Sequence, residues 1–254
     1  MPSPQPALSF RETTKRFGEV VAVNRVSLDI EAGSFVALVG ESGSGKSTLL
    51  KTINRLVEPD EGSVLFEGED VREADPPMLR RRIGYVFQGV GLFPHMNVGE
   101  NIGIGPRLAG NRLPASRIGE LLDGVELDAS YASRMPDELS GGQRQRIGVA
   151  RALAGDPHIL LMDEPFGALD PVTRDALGGR VRKLHDTLGL TTVMVTHDMA
   201  EALLLADRVL VMSEGRIEAD CTPHELLDGA GGKIAQKLVA VPRDQAAALA
   251  ELAR

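Results

Sequence analysis

Residues 35–47 read FVALVGESGSGKS, a short apolar run followed by a glycine-rich segment that ends in Lys46 and Ser47. The glycine-rich part, residues 40–47, matches the pattern G-x-x-x-x-G-K-[ST] without a mismatch. The apolar run predicts a buried strand, and residues 48–56 predict a helix. A strand, a loop of this composition and a helix, in this order, predict a site that cradles phosphate groups.

The loop composition suits a bound triphosphate. Glycine lets the backbone curl closely enough for several N–H groups to converge on phosphate oxygens. The following helix presents its positive end to the anion. Lys46 adds a cation for the β- and γ-phosphates, and the Ser47 hydroxyl suits Mg²⁺, which prefers oxygen ligands. The candidate nucleotide contacts in this segment are Gly40, Glu41, Ser42, Gly43, Ser44, Gly45, Lys46, Ser47 and Thr48.

A second motif, ILLMDE, occupies residues 159–164. An apolar strand that ends in two acids is costly to bury unless the acids have partners. Asp163 at the strand end suits a bond to Mg²⁺ or to its waters. Glu164, one residue further on, is placed to polarise an attacking water as a general base. The alternative interpretation, surface acids after an ordinary strand, becomes weak once the phosphate loop is taken into account.

The order of apolar and helical patterns predicts an α/β protein. Strand-like runs at 83–87, 159–162, 192–195 and 208–212 alternate with helical patterns and favour a mostly parallel sheet. The region from about 90 to 150 holds turns and then helical patterns at 115–122 and 142–152, which indicates a helical insertion. Residues 8–30 and 62–71 predict an antiparallel β-layer beside the core.

Residues 139–143 read LSGGQ. Ser140, Gly141 and Gly142 form a second helix start suited to an anion, although one nucleotide needs only one such cradle. With this motif the chain resembles the nucleotide-binding domain of ABC transporters. The resemblance implies a P-loop NTPase (RecA-like) core with an antiparallel β-layer and an inserted α-helical subdomain. It also implies a head-to-tail dimer, in which Ser140 to Gln143 of one copy contact the ATP held by the other.

Further positions match the family in chain order. Gln88 lies where the family has a glutamine that senses Mg²⁺ and the γ-phosphate. Ala168 to Asp170 resemble the D-loop, which crosses the dimer interface, and Asp170 is included among the nucleotide contacts. His197 matches the histidine that contacts the γ-phosphate. Phe17 matches the aromatic residue that stacks on adenine, and it keeps the ring but lacks the hydroxyl of the tyrosine that the family often has there.

The resemblance implies an ATPase with ATP and Mg²⁺ as cofactors. Its expected catalytic residues are Lys46, Gln88, Glu164 and His197. Its expected metal ligands are Ser47, Gln88 and Asp163. A non-hydrolysing regulatory cassette would lack Glu164 or His197, and both are present.

The composition limits the partners and the cellular location that this protein can have. The formal net charge is −8, with 28 basic and 36 acidic residues, which weighs against a nucleic-acid partner. Cys221 is the only cysteine, so a disulfide framework is excluded. We find no run of about 18 apolar residues and expect no secretory signal. Together with the family resemblance, this predicts a peripheral protein at the cytoplasmic face of the inner or plasma membrane.

Residues 79–98, LRRRIGYVFQGVGLFPHMNV, resemble importer ATPases for glycine betaine, choline and related osmoprotectants. The resemblance implies transmembrane permease subunits and an extracytoplasmic substrate-binding protein as partners. Phe93, Pro94, His95 and Met96 become candidates for contact with the permease. The ATPase of a polar amino-acid importer remains an alternative, and a soluble ABC ATPase outside transport is a weaker one.

We expect an ABC nucleotide-binding domain over residues 1–230, with its helical subdomain at about 90–152. Residues 231–254 are expected to form a short helical tail. Many members of the osmoprotectant subfamily carry paired regulatory CBS domains after the cassette, and we expect none in this chain.

Overall fold

The structure, a computed structural model, describes residues 5–252. In chain order its elements are β1 (Leu8–Phe17), β2 (Val20–Ile30), β3 (Phe35–Val39), α1 (Lys46–Ile53), β4 (Glu61–Phe66), β5 (Glu69–Asp70), α2 (Pro76–Arg81), β6 (Ile83–Val86), α3 (Val98–Ile102), α4 (Ile104–Leu108), α5 (Ala115–Gly124), two 3-10 turns (Ala129–Ser133 and Pro136–Glu138), α6 (Gly141–Leu153), β7 (Ile159–Asp163), α7 (Pro171–Leu188), β8 (Thr191–Val195), α8 (Met199–Leu205), β9 (Arg208–Ser213), β10 (Arg216–Cys221), α9 (Pro223–Leu227) and α10 (Gly232–Leu252). None of the helices in the described part of the chain combines the length and apolar character needed to cross a membrane.

The chain divides into two compact units. The first contains the described residues up to Val71 and from Met194 onward, and the second contains Arg72–Val193. The first unit carries the predicted antiparallel layer, with strand order β2-β1-β4-β5. Its register pairs Leu8 of β1 with Ile30 of β2 on one side and with Phe66 of β4 on the other. The alternation of buried and exposed residues along β2 is typical of a sheet with one face on a core.

The first unit also carries parallel strands. All five residues of β3 are buried, and β3 pairs in parallel with β9 from Val36–Arg208 to Val39–Val211. Helix α1 begins at Lys46, two residues before the predicted start, and ends at Ile53 instead of residue 56. The helix stops early because the backbone of Arg55 takes φ +55°, in the left-handed region, which a right-handed helix cannot continue.

The second unit carries the helical insertion predicted from the sequence. Helices α3 to α6 and the two 3-10 turns lie between β6 and β7, and these two strands pair in parallel from Ile83–Ile159 to Val86–Met162. Strand β7 is buried along its whole length, and Asp163 is the buried last residue at its carboxyl end. These features confirm the α/β class. The domain bounds predicted from the sequence stay a prediction.

Candidate functional site

The phosphate loop leaves β3 through positions that only glycine fits. Gly45 has φ +104°, and a Cβ there would lie 2.0 Å from the backbone oxygen of Ala22. Gly40 has φ +153°, and a Cβ there would lie 2.1 Å from the backbone oxygen of Met212. Neither neighbour is a movable side chain, so a larger residue would displace the loop. The glycine spacing of the sequence pattern therefore follows from the close approach of two other strands.

The ammonium of Lys46 lies inside the curl of this loop. The residue is buried, with 5% of its surface exposed. Its Nζ donates to the backbone oxygens of Gly40 at 2.9 Å and Glu41 at 2.8 Å, and to Ser44 Oγ at 3.3 Å. Helix α1 begins here without a side-chain cap and without an acidic residue in its first turn. The positive end of the helix and the lysine charge therefore favour an anion at the same place.

Two further predicted residues belong to the same unit. His197 follows β8, and the N–H of its neighbour Thr196 donates to the backbone oxygen of Leu38 at 3.2 Å. This bond places the histidine beside the carboxyl end of β3, where the phosphate loop begins. Phe17 ends β1 with 52% of its surface exposed, and Lys15 Nζ lies 5.4 Å from its ring centroid. An exposed ring of this kind offers a face on which an adenine can stack.

In the second unit, Gln88 and the acidic pair lie together. Gln88 Nε2 donates to Glu164 Oε2 at 3.1 Å. Glu164 takes φ +47°, an uncommon conformation for a residue with a side chain, and such strain clusters at functional sites. Asp163 is buried, with 2% of its surface exposed. The sequence placed these three residues in one site, and the structure brings Gln88 and Glu164 into direct contact.

Tyr85 contacts Asp163, although no motif in the sequence indicated this. Its hydroxyl donates to Asp163 Oδ2 at 3.4 Å. Burial, and then the charge of Asp163, raises the pKa of the Tyr85 phenol, so the hydroxyl keeps its proton and remains a donor. The parallel register sets Tyr85 of β6 opposite Leu161 of β7, two residues before Asp163 on that strand. Its position in the strand before Gln88 was the only signal in the sequence.

The LSGGQ segment forms the predicted helix start. Ser140 Oγ accepts from the N–H of Gln143 at 3.2 Å, and Gln143 Oε1 accepts from the N–H of Ser140 at 2.9 Å. This capping box fixes the first turn of α6. Gln143 Nε2 also donates to the Tyr131 hydroxyl at 3.1 Å, so the amide of Gln143 is engaged within the protein. Its predicted contact with nucleotide stays a prediction.

Four residues of the LSGGQ signature, Ser140 to Gln143, and the three residues that resemble the D-loop, Ala168 to Asp170, line one open pocket of about 530 Å³. Gly142 permits this approach, because a Cβ there would lie 2.9 Å from Thr173 Cγ2. The Asp170 carboxylate caps α7 by accepting from the N–H of Thr173 at 3.0 Å. Hydrogen bonds from the Thr173 side chain and backbone hold the pKa of the Asp170 carboxyl below its ordinary value.

Two glycine-led helix starts on a core of buried parallel strands define the class of this protein, the ATP-binding cassette. A profile of the family described as ABC transporter matches residues 23–167, and the chain belongs to this family. A solved dimeric cassette, MJ0796 in a post-hydrolysis state bound to ADP and Pi, shares 34% identity and superimposes with a TM-score of 0.77. The match covers 85% of this chain and 98% of that one.

Several similar proteins are named as ATP-binding proteins of transport systems. The glycine betaine/carnitine/choline transport ATP-binding protein OpuCA of Bacillus subtilis is 48% identical over 87% of this chain and 59% of its own length. The glycine betaine uptake system ATP-binding protein YehX of Escherichia coli is 49% identical over 87% of this chain and 72% of its own length. A sulfate/thiosulfate import ATP-binding protein of Bacillus cereus is 49% identical over 87% of this chain and 63% of its length. This chain thus spans about three fifths of the OpuCA protein that it matches.

Proposed function

We propose that this chain is the ATP-hydrolysing subunit of an ABC importer for a quaternary-amine osmoprotectant such as glycine betaine or choline. The hydrogen bond from Gln88 Nε2 to Glu164 Oε2 carries the hydrolysis part of the proposal. It orients a carboxylate at the end of a buried strand, which is what a general base for water attack requires. The similarity to glycine betaine and choline transport proteins supports the cargo.

The side chains divide the chemistry between them. Phe17 stacks on adenine, and residues 40–48 hold the phosphates around Lys46. Glu164 orients and deprotonates the attacking water, and His197 stabilises the charge that develops on the γ-phosphate. The acceleration comes from positioning and electrostatics, as in other phosphoryl transfers.

The oxygen donors of Ser47, Gln88 and Asp163 suit Mg²⁺, and Asp163 is a buried carboxylate whose charge a cation would balance. Bound there, the ion supplies charge neutralisation for the phosphate oxygens. Ser47 and Gln88 would bind it directly, and Asp163 partly through water.

We propose that two copies pair head to tail around the nucleotide. The pocket between Ser140 and Asp170 opens to solvent, and the first turn of α6 presents backbone N–H groups to an anion. In the proposed dimer this surface closes on the ATP held by the other copy. Closing and reopening then drive permease subunits at the cytoplasmic face of the membrane, with a substrate-binding protein outside. We further propose that the cassette spans residues 1–230.

Two measurements test the proposal. Purified protein with ATP and Mg²⁺ should release phosphate. No phosphate release would contradict the hydrolytic role. Deleting the gene in its host should abolish uptake of labelled glycine betaine or choline. A plasmid copy of the wild type should restore uptake, whereas a Glu164→Gln copy should not. If the deletion instead abolished uptake of labelled sulfate, the proposed osmoprotectant cargo would be wrong, but the proposed ATPase activity would stand.

A further inference from the structure

The loop that follows Gln88 has a strained backbone. Val90 takes φ +54°, in the left-handed region, where a β-branched residue is a genuine outlier. Gly91 follows with φ +55°. Within the turn, the N–H of Val90 donates to Phe87 O at 3.1 Å and the N–H of Gly91 donates to Gly89 O. A strained segment persists only when its surroundings hold it, so contacts outside the turn decide its shape.

Arg151 supplies such contacts. It lies on α6, and its guanidinium donates Nη1–H to Gly91 O at 2.7 Å and Nη2–H to Val90 O. The same guanidinium carbon lies 5.9 Å from the ring centroid of Phe87. One planar guanidinium therefore donates to two successive carbonyls and also lies over the ring of the aromatic residue just before Gln88. A lysine could not reproduce this fork, because its ammonium is a single point of charge.

Helix α6 is shaped to receive the same loop. Gly148 lies three residues before Arg151, and a Cβ there would meet Val90 Cγ1 at 3.2 Å. The glycine lets the strained valine pack closely against the helix face. The helix whose first turn carries Ser140 thus holds, near its last turn, the loop that carries Gln88.

We propose that Arg151 is a positioning residue for ATP hydrolysis. By clamping the carbonyls of Val90 and Gly91 it fixes the loop, and the fixed loop keeps the Gln88 amide bonded to Glu164. Arg151 also joins helix α6, whose first turn carries Ser140, to the loop that carries Gln88. The inference rests on the proposed hydrolytic function.

The test compares Arg151→Met with a matched control. The control is Arg180→Met. In the wild type the Arg180 guanidinium also donates to two successive backbone oxygens, those of Asp123 at 3.1 Å and Gly124 at 2.7 Å, but these lie outside this loop. For Arg151→Met we expect kcat to fall about tenfold or more, the loss typical of a charge-assisted hydrogen bond, with the Kd for ATP nearly unchanged. Arg180→Met should keep the wild-type kcat, even if its thermal unfolding midpoint falls by as much as that of Arg151→Met.

A second arm tests whether Arg151 acts through Gln88. We expect the Gln88→Ala, Arg151→Met double variant to have the kcat of Gln88→Ala alone, because residues that act as one unit are non-additive. Arg151→Lys keeps the charge and should give an intermediate kcat, and it carries the test if the methionine variant does not fold. Wild-type kcat in both Arg151 variants, or losses that multiply in the double variant, would overturn the inference. A wild-type protein without any ATPase activity would instead refute the function on which it rests.

Discussion

At the scale of single residues, Glu164 is held in an uncommon backbone conformation with its carboxylate bonded to Gln88. For Glu164→Gln we expect steady-state phosphate release to fall by a factor of about 100 or more, the contribution typical of a general base. The amide keeps the size of the side chain, so ATP should still bind and closed dimers should accumulate. Phosphate release and size-exclusion chromatography with ATP and Mg²⁺ measure the two effects.

Glu67 provides the control for this substitution. It also takes a positive φ, +51°, and it lies in the turn between β4 and β5, away from the proposed chemistry. Glu67→Gln should keep wild-type phosphate release. Near-normal turnover in Glu164→Gln would remove Glu164 from the role of general base.

The buried ammonium of Lys46 gives a second prediction at this scale. Its ammonium donates to Gly40 O, Glu41 O and Ser44 Oγ within the phosphate loop, so its removal takes away a cation around which the loop curls. For Lys46→Ala we expect the Kd for ATP to rise about 10-fold to 100-fold, as for the loss of a charge-assisted bond. Isothermal titration calorimetry measures this change. Lys51→Ala, at the other end of α1, should leave the affinity near wild type, and an unchanged affinity in Lys46→Ala would argue against the phosphate site.

At the scale of elements, Ser140 has two separable duties. Its hydroxyl caps α6, and its position faces the pocket in which we propose that the other copy's ATP binds. Aspartate caps a helix about as well as serine, so Ser140→Asp should keep the thermal unfolding midpoint. Its negative charge would repel the γ-phosphate, so phosphate release should be lost. Ser140→Ala should show the reverse pattern, a lower midpoint with more residual activity. Wild-type turnover in Ser140→Asp would contradict the signature's contact with nucleotide.

Helix α7 is capped by a carboxylate, and this cap gives a pH prediction. The pKa of Asp170 is lowered in the folded protein, so its stabilising effect is complete above the pKa of the unfolded chain and is lost as the pH falls through the folded pKa. We expect the unfolding midpoint of the wild type to decline below about pH 4. Asparagine also caps helices but does not titrate, so Asp170→Asn should lose less of its midpoint over the same range. Identical declines in the two proteins would show that this cap plays no part.

The elements also show what the sequence can and cannot predict. Patterns within a few residues of each other, such as residues 40–47, were sufficient for the phosphate loop and the strand before it. The Tyr85–Asp163 bond was not predictable, because it depends on the register of two parallel strands 78 residues apart in sequence. The contact between Arg151 and Val90 was not predictable either, because it joins a helix to a loop 61 residues earlier in the sequence. The positive φ of Glu164 leaves no trace in composition, since glutamate rarely adopts it.

At the scale of the whole molecule, the proposed dimer makes each site from two chains. Lys46 and Glu164 serve the nucleotide of their own copy, whereas Ser140 serves that of the other. Lys46→Ala and Ser140→Asp should each be inactive alone. A mixed dimer of the two holds both defects in one site and leaves the other site intact. Half of the dimers in an equal mixture are mixed, so we expect about a quarter of wild-type phosphate release if the sites act independently.

A mixture of Lys46→Ala with Glu164→Gln is the matched control, because in that mixed dimer each site contains one defect. It should therefore stay inactive. Both mixtures are measured by phosphate release at one total protein concentration, after exchange of subunits without nucleotide. Recovery in the first mixture alone requires that Ser140 act across the interface and that Lys46 and Glu164 act within one copy. Recovery in neither mixture, or in both equally, would contradict a site shared between two copies in this way.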